Sequence, residues 1–298
     1  MAISFEGKVA IVTGAGAGLG RCHALEFAKR GAKVVVNDLG GSVDGTGGSS
    51  EAALKVVEEI KAAGGDAIAN GASVSDKKGA ESIVKDAVDK WGRVDIVVNN
   101  AGILRDKSFA KMELADFELV LSVHLLGSAY VTKAAWPVMR EQNYGRIVMT
   151  TSSSGLYGNF GQANYGAAKL GLVGLMNTLK LEGAKNNIRV NTVAPVAATR
   201  MTENLGIPAE VFNQLKPELI SPAVLFLAHD DAPTGTIIEA GAGYYSKVQI
   251  VEGKGAKLGQ NATLEDFAAN WDKISDMSQA GPFDNGAMVT IKIFTPDA

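Results

Sequence analysis

The chain has 298 residues, of which 46% are hydrophobic, and this supplies enough apolar side chains for a large domain with a full core. Its formal net charge of −3 argues against a general nucleic-acid binder, for which a basic domain is expected. The single cysteine, Cys22, excludes an internal disulfide, and the three histidines lack the spacing of a metal site. The sequence contains no run of 18 uncharged apolar residues, so we expect no membrane insertion.

The first predicted element is the apolar run Val9–Thr13, which is typical of a buried parallel strand. The strand leads into Gly14, Gly18 and Gly20 and then into a predicted helix. Backbone N–H groups at such a turn can approach a pyrophosphate, and the helix dipole favours its negative charge. Glycines also serve ordinary turns, so the flanking strand and helix give this cluster its weight.

The second predicted strand begins at Lys33 and ends in an acid, Asp38. A carboxylate at this place can accept hydrogen bonds from both ribose hydroxyls of NAD, and it would repel the 2′-phosphate of NADP. No arginine or lysine follows immediately to receive that phosphate, so the pattern favours NAD. The alternative is a solvated acid at a strand end.

Strands and helices alternate along the rest of the chain. Strands are predicted to start near residues 8, 33, 66, 94, 144, 187 and 235. Helices are predicted near 18–30, 50–63, 76–90, 116–139, 163–185 and 218–229. Such alternation indicates an α/β fold with a doubly wound parallel sheet of the Rossmann type. We expect this domain over residues 1–245 and a C-terminal extension over residues 246–298.

Two polar motifs follow the predicted strand near 144. The strand ends in the hydroxyls of Ser152–Ser154, and ligand sites in open α/β sheets lie at the carboxyl ends of strands. Tyr165 and Lys169 follow on a predicted helix, where positions four apart share a face. The ammonium is then expected to lower the phenol pKa from about 10, so that the phenol can exchange a proton with an alcohol. The spacing alone does not say which serine acts.

These motifs together resemble the short-chain dehydrogenase/reductase family over residues 5–245. The shared motifs are Thr13-Gly14-x-x-x-Gly18-x-Gly20, Asn99-Asn100-Ala101-Gly102, a serine 13 residues before the tyrosine (Ser152), and Tyr165-x-x-x-Lys169. Further runs are similar to the (3R)-hydroxyacyl-CoA dehydrogenase part of peroxisomal multifunctional enzymes of type 2. These runs are Asn37–Gly41, Asn100–Asp106, Gly155–Tyr165, Ala240–Gly243 and, in the tail, Asn270–Ile274.

The resemblance implies a function and a set of site residues. Tyr165 is implied as the general acid/base, Ser152 as the group that holds the substrate oxygen, and Lys169 as the group that tunes the tyrosine. The implied reaction is oxidation of (3R)-3-hydroxyacyl-CoA to 3-oxoacyl-CoA with NAD. The expected cofactor contacts are Gly14, Gly18, Leu19, Gly20, Asp38, Ser73, Val74, Asn100, Ala101, Gly102, Tyr165, Lys169 and Thr199.

The chain departs from the family pattern at several places. His124 stands where the family usually has a catalytic asparagine, and we weigh a direct role for it equally against simple packing in a helix. Pro195-Val196 replaces the usual Pro-Gly, ahead of Thr199. Ala72 replaces an acid before Ser73, so the cover for the adenine is expected to come from backbone groups.

The end of the chain carries the last expectations. In the family, the segment 200–217 forms a mobile lid over the substrate. Thr263 looks like the N-cap of a helix over Leu264–Met277 whose apolar stripe either packs on the main domain or completes an acyl-CoA tunnel at a dimer interface. We expect a homodimer, through helices 116–139 and 163–185, and a cytoplasmic location, because no signal peptide or peroxisomal terminal tripeptide is present.

Three alternatives stay open. One is a dehydrogenase of the same fold that acts on a steroid or another secondary alcohol. Another is a 3-oxoacyl-carrier-protein reductase, which Asp38 opposes because that enzyme usually prefers NADP. The third is a catalytically silent NAD-binding regulator, which the intact Ser152, Tyr165 and Lys169 oppose. A free-standing dehydrogenase of this length has no hydratase domain, so a separate enoyl-CoA hydratase is a plausible partner.

Overall fold

A computed structural model describes residues 3–49, 51–198 and 208–295. The chain divides into two compact units, residues 1–247 and 248–298. The first unit is built on an eight-stranded sheet whose strands lie side by side in the order β3-β2-β1-β4-β5-β6-β7-β8. The strands are β1 (Val9–Thr13), β2 (Lys33–Asn37), β3 (Asp66–Asn70), β4 (Ile96–Asn99), β5 (Gly145–Thr150), β6 (Ile188–Val196), β7 (Ile237–Gly241) and β8 (Tyr244–Val248).

Helices connect the strands and cover the sheet. The helices of the first unit are α1 (Gly18–Lys29), α2 (Glu51–Ala62), α3 (Lys77–Trp91), α4 (Leu114–Leu121), α5 (Gly127–Gln142), α6 (Ser153–Tyr157), α7 (Ala163–Gly183), α8 (Ala209–Phe212) and α9 (Ser221–Leu227). Strands β1 to β7 pair in parallel throughout. This is the doubly wound parallel sheet that the sequence predicted.

The apolar β-branched runs explain why the strands lie in the centre. All five residues of β1 and all four of β4 are buried, as expected for parallel strands that are covered on both faces. The chain order reverses its direction across the sheet between β1 and β4, which pair through Ala10 and Ile96. The carboxyl ends at such a switch point form the crevice where α/β proteins bind ligands.

The last strand, β8, was not predicted. Ala242 and Gly243 join it to β7, and both have positive φ values, 48° and 79°. A two-residue connection with this backbone geometry makes a β-hairpin, so β8 runs back along β7 at the edge of the sheet.

Leu114–Gln142 is a continuous helical stretch made of α4, one π-helical turn (Ser122–Leu126) and α5. Among the described residues it is the one helix that is long and apolar enough to cross a membrane by length and composition. Core helices meet the same criterion, and Val131, Ala135 and Met139 are fully buried in this stretch. The expectation of no membrane insertion stays a prediction.

The second unit contains three short helices, α10 (Leu264–Ala269), α11 (Trp271–Ile274) and α12 (Gly286–Phe294). Thr263 caps α10 as predicted, in a capping box with Asp266. The prediction of a single helix over Leu264–Met277 is wrong, because α10 ends before Asn270 and a separate helix, α11, begins after it. The side-chain amide of Asn270 donates to the backbone carbonyl of Asp266 (2.9 Å), and such local bonds compete with continuation of a helix.

Candidate active site

The glycine-rich turn after β1 has no room for side chains. Gly14 has a φ of +62°, and a Cβ there would lie 2.7 Å from the Cα of Ala101. A Cβ on Gly20 would lie 2.2 Å from the carbonyl oxygen of Gly14. Gly18 begins α1 with a φ of +52°, and the neighbouring Leu19 packs against the core. A bare backbone turn at the start of a 12-residue helix fits a pyrophosphate.

The turn after β4 is tied to this glycine turn. The hydroxyl of Thr13 accepts hydrogen bonds from the backbone N–H groups of Asn100 (3.0 Å) and Ala101 (3.1 Å). The side-chain amide of Asn100 donates to the carbonyl oxygens of Thr13 and Gly14. The predicted Asn100-Ala101-Gly102 contact segment and the glycine turn therefore form one rigid edge.

Asp38 lies beside the same edge. Its carboxylate accepts hydrogen bonds from the backbone N–H groups of Gly16 (2.7 Å) and Gly40 (2.6 Å), one on each oxygen. Each carboxylate oxygen can accept a second hydrogen bond, so two acceptor positions are left for a diol such as a ribose. Sequence reasoning did not anticipate the two backbone donors, because contacts between loops depend on tertiary structure.

A surface cavity of about 430 Å³ opens next to Gly16 and Gly40. The two cations that line it are already paired, Arg21 with Glu59 and Lys55 with Glu51 (2.9 Å). A 2′-phosphate would therefore have to compete with carboxylates for either cation.

The turn after β3 carries the next two predicted contacts. The hydroxyl of Ser73 lies 2.9 Å from that of Ser75, and Val74 is buried. A Cβ on Gly127 would lie 2.8 Å from a methyl group of Val74, so this turn is pressed against α5. The remaining predicted contact, Thr199, lies outside the described residues, as do residues 200–207 of the expected lid segment.

The three predicted catalytic side chains come together at the carboxyl end of β5. Ser152 is the N-cap of α6, and its hydroxyl is hydrogen-bonded to the phenol of Tyr165. Lys169 lies one turn after the tyrosine on α7, with its ammonium nitrogen 5.3 Å from the centre of the tyrosine ring. That nitrogen donates to the carbonyl oxygen of Thr150 (2.5 Å). The structure therefore places Ser152 at the tyrosine.

Comparison with known proteins identifies the family to which this fold belongs. Residues 8–208 match the family model described as short chain dehydrogenase. The chain belongs to the short-chain dehydrogenase family. It is therefore an oxidoreductase by family.

Two curated relatives illustrate the similarity. Peroxisomal multifunctional enzyme A of Dictyostelium discoideum is 55% identical over 97% of this chain. The peroxisomal hydratase-dehydrogenase-epimerase of Saccharomyces cerevisiae is 50% identical over 92% of this chain. The chain spans 64% of the length of the first relative and 31% of the second.

Two solved structures share the fold. Full-length peroxisomal multifunctional enzyme type 2 from Drosophila melanogaster superposes with a TM-score of 0.83 at 43% identity, over 98% of this chain and 49% of that chain. A 7α-hydroxysteroid dehydrogenase complexed with NADH and 7-oxo glycochenodeoxycholic acid superposes with a TM-score of 0.72 at 31% identity. That match covers 80% of this chain and 95% of the other.

The expected lowering of the tyrosine pKa is wrong for the chain by itself. Burial raises the pKa of Tyr165 to about 12, the hydrogen bond from Ser152 opposes this rise, and the negative charge of Asp106 adds to it. Burial also lowers the pKa of Lys169 to about 7, so this amine is only partly charged at neutral pH. Removing both groups from water disfavours both charged forms, and sequence spacing does not report burial.

His124, the residue at the family's asparagine position, lies inside the site. It is in the π-helical turn between α4 and α5 and is almost completely buried. Its ring meets the ring of Tyr165 edge to face, with centroids 5.2 Å apart. Burial and the charge of Lys169 hold the pKa of His124 well below its usual value, so the imidazole is neutral.

Two buried amides that the sequence analysis did not assign to the site support the start of α7. The side chain of Asn164 accepts from the backbone N–H of Tyr165 (2.7 Å) and donates to the carbonyl oxygen of Arg105 (3.1 Å). Gln162 donates to the carboxylate of Asp106 (2.6 Å). Both amides belong to the run before the tyrosine that marks the resemblance to the multifunctional enzymes, and that run was the available signal.

Proposed function

We propose that this protein oxidises (3R)-3-hydroxyacyl-CoA to 3-oxoacyl-CoA with NAD. The observation that carries the proposal is the Ser152-Tyr165-Lys169 group at the carboxyl end of β5, in which Ser152 and Lys169 are buried, together with the bare glycine turn after β1. Identity of 50–55% to enzymes named multifunctional and hydratase-dehydrogenase-epimerase, over at least 92% of this chain, supports the choice of substrate class.

Ser152, Tyr165 and Lys169 have different roles in the proposed reaction. The Ser152 hydroxyl holds the substrate 3-hydroxyl oxygen, and the Tyr165 phenolate accepts its proton as general base. An oxidised nicotinamide would, when bound, supply the hydride acceptor and a positive charge. Lys169, in its charged form, stabilises the phenolate across a distance that burial keeps free of screening water. The proton on Lys169 matters because burial, as the largest cause, raises the pKa of Tyr165 to about 12 in the chain by itself.

NAD is the cofactor that the residues of this chain fit. Gly14, Gly18 and Gly20 form the pyrophosphate turn, and the Asp38 carboxylate has acceptor positions free for the ribose hydroxyls. The paired cations at the neighbouring cavity, Arg21 among them, disfavour a 2′-phosphate. The dehydrogenase structure that contains NADH has the same fold.

The experiment is a spectroscopic assay of NADH formation from (3R)- and (3S)-3-hydroxyacyl-CoA of several chain lengths, with NAD or NADP. We expect turnover of the (3R) form with NAD. Tyr165→Phe should reduce turnover by several orders of magnitude while NAD binding is largely kept, because the lost hydroxyl carries the proton and the ring still packs. Near-normal turnover in Tyr165→Phe would contradict the mechanism.

The fold match to a hydroxysteroid dehydrogenase favours one second candidate, oxidation of a steroid or another secondary alcohol. The same assay separates the candidates if hydroxysteroids are included. A 3-oxoacyl-carrier-protein reductase would prefer NADPH and a carrier-protein thioester. A catalytically silent regulator would bind NAD and turn over nothing.

The relatives also suggest a partner and a location. One relative is named a hydratase-dehydrogenase-epimerase, and this chain spans 31% of it. We therefore propose that a hydratase supplies the 3-hydroxyacyl-CoA, either as a separate enoyl-CoA hydratase or as another domain. The two relatives are named peroxisomal, whereas the sequence predicted a cytoplasmic protein, so fractionation of the source cell is the test.

The surface of α7 supports the proposal of a homodimer. Leu170 and Leu181 are 46% and 50% exposed on this helix, and Leu126 on the preceding π-helical turn is 42% exposed. An interface between two copies of the chain would remove these leucines from water. Sedimentation should show a dimer that Leu170→Asp weakens. A wild-type monomer at micromolar concentration would contradict this.

The second unit is proposed to complete the substrate site or the dimer interface. It presents large apolar side chains to solvent, among them Trp271 (55% exposed), Ile291 (63%) and Phe294 (73%). Trp271→Ser should change the preference for acyl chain length if this unit contacts the acyl group. An unchanged preference for chain length, together with unchanged sedimentation, would remove both roles from Trp271.

A further inference from the structure

In the part of the chain that the structure describes, the polar contacts of the His124 ring are with the backbone of Ile103 and not with side chains. Its Nε2 atom lies 3.1 Å from the backbone nitrogen of Ile103 and 2.8 Å from the carbonyl oxygen of the same residue. A Cβ on Gly102 would lie 2.2 Å from the ring Cε1 atom, so the imidazole presses against a residue without a side chain. The ring therefore touches the segment that follows the turn after β4 and, on another side, the ring of Tyr165.

The two contacts of Nε2 restrict what the ring can do. A neutral imidazole either donates from Nε2 to the Ile103 carbonyl oxygen or accepts at Nε2 from the Ile103 N–H. Neither backbone group gives up or takes a proton near neutral pH. A proton that entered at Nδ1 would have no exit through Nε2, so the ring of His124 cannot serve as a proton relay.

The Nδ1 atom is buried and has no hydrogen-bond partner among the described residues. An unpaired buried polar atom usually costs free energy, about 1–3 kcal/mol. A leucine of similar size would have no unpaired side-chain atom, but it would leave the buried Ile103 backbone without its contacts to Nε2. The contacts at Nε2 and at the ring face are the ones that offset this cost.

We propose that His124 is a positioning residue, a wedge that fixes the edge of the cofactor crevice at Gly102–Ile103 relative to the ring of Tyr165. Its Nε2 atom is hydrogen-bonded to the Ile103 backbone, and its ring, packed against that of Tyr165, sets the orientation of the phenol. This role rests on the proposed function, because its test by turnover uses the proposed dehydrogenase reaction. It assigns the role to Nε2 and to the ring, and it assigns no proton transfer to His124.

Two substitutions separate the two ring nitrogens. In His124→Gln the side-chain amide reaches the place of Nε2, whereas in His124→Asn it reaches only the place of Nδ1. Both variants lose the ring contact with Tyr165. We expect His124→Gln to keep the KM for NAD within about threefold of the wild type and to lower kcat by less than tenfold, because its amide keeps the contact with Ile103. His124→Asn should lower kcat by at least tenfold and raise the KM for NAD, because the contact with Ile103 is lost as well.

The opposite order would overturn the inference. If His124→Asn were as active as the wild type and His124→Gln were not, the important atom would be Nδ1. Equal activity of His124→Ala and the wild type would also overturn it.

A matched control is His23→Gln, which changes another almost fully buried histidine, bonded to the Ser221 hydroxyl (2.8 Å). It should lower the melting temperature comparably and leave kcat unchanged. A fall in kcat as large as in His124→Asn would show that any buried histidine has this effect.

The dissociation constant of NAD, measured calorimetrically on the same variants, keeps the test independent of the substrate. We expect similar values for the wild type and His124→Gln and a weaker one, by at least threefold, for His124→Asn. If the wild type oxidised no 3-hydroxyacyl-CoA but this order held, the proposed function would fail and the positioning role would stand. Equal dissociation constants for all three proteins would show that the contact between Nε2 and the Ile103 backbone does not position the cofactor crevice.

Discussion

Replacement of Gly20 by alanine tests whether the glycine turn is a backbone surface made for close approach. The new methyl group would lie 2.2 Å from the carbonyl oxygen of Gly14 and 2.5 Å from the side-chain nitrogen of Asn100. Ordinary contact needs more than 3.4 Å, so one of these groups must move by more than about 1 Å. The adjustment falls on the turn that is proposed to hold the pyrophosphate.

The magnitude follows from the contacts that would be lost. Asn100 donates two hydrogen bonds, to Thr13 and Gly14, each worth about 1 kcal/mol. Crowding of a packed site adds roughly 1–3 kcal/mol, and the better helix propensity of alanine returns about 0.5–1 kcal/mol. We expect Gly20→Ala to lower the free energy of unfolding by about 2–4.5 kcal/mol and to weaken NAD binding at least tenfold.

The assay combines denaturant unfolding with calorimetric titration of NAD. Gly286→Ala is the control, because Gly286 is also helical and a Cβ there would meet nothing within 4 Å. The control should keep the affinity for NAD and change stability by less than about 1 kcal/mol. If Gly20→Ala bound NAD as tightly as the control and unfolded at the same denaturant concentration, the argument from close approach would be wrong.

Two further predictions concern charges. Asp38→Asn should raise the KM for NAD about tenfold, because one of the two backbone donors loses its acceptor. It should also shift the ratio of kcat/KM for NADP over NAD by at least tenfold toward NADP, because a negative charge disappears. An unchanged ratio would place Asp38 outside the ribose site. The pKa of Lys169 is about 7 in the folded chain against 10.5 unfolded, so the unfolded chain binds more protons and wild-type stability rises as pH rises from about 7 to 10.5. Lys169→Met should therefore be the more stable protein below about pH 7, by roughly 2 kcal/mol after the loss of the bond to Thr150, and this advantage should shrink by pH 10. Unfolding curves at pH 6 and pH 9.5 check this, and parallel pH dependence in both proteins would contradict it.

The local sequence pattern determined much of the architecture and the position of the site residues along the chain. Apolar β-branched runs such as Val9–Thr13 favour buried strands, and the glycines between them favour turns and the ends of helices. The predicted starts of the strands near 33 and 66 coincide with the observed ones. The contact between Tyr165 and Lys169 follows from the helical period alone, because residues four apart share a face.

Helix ends were less predictable, because a local side-chain bond competes with the helix. Asn270 ends α10 through its bond to Asp266, and propensity does not reveal which of two local bonds wins. The hairpin to β8 rests on positive φ values at Ala242 and Gly243, and alanine is an uncommon residue for such a conformation.

The electrostatics of the site were decided only by tertiary structure. Spacing placed Lys169 beside Tyr165, but the direction of each pKa shift depends on how completely the surrounding chain removes water. The backbone donors to Asp38 and the grip of His124 on Ile103 join segments far apart in sequence. The sequence by itself therefore determined which groups meet on one helix or strand end, and the packed fold decided their charge states and partners, because burial is a property of the whole domain.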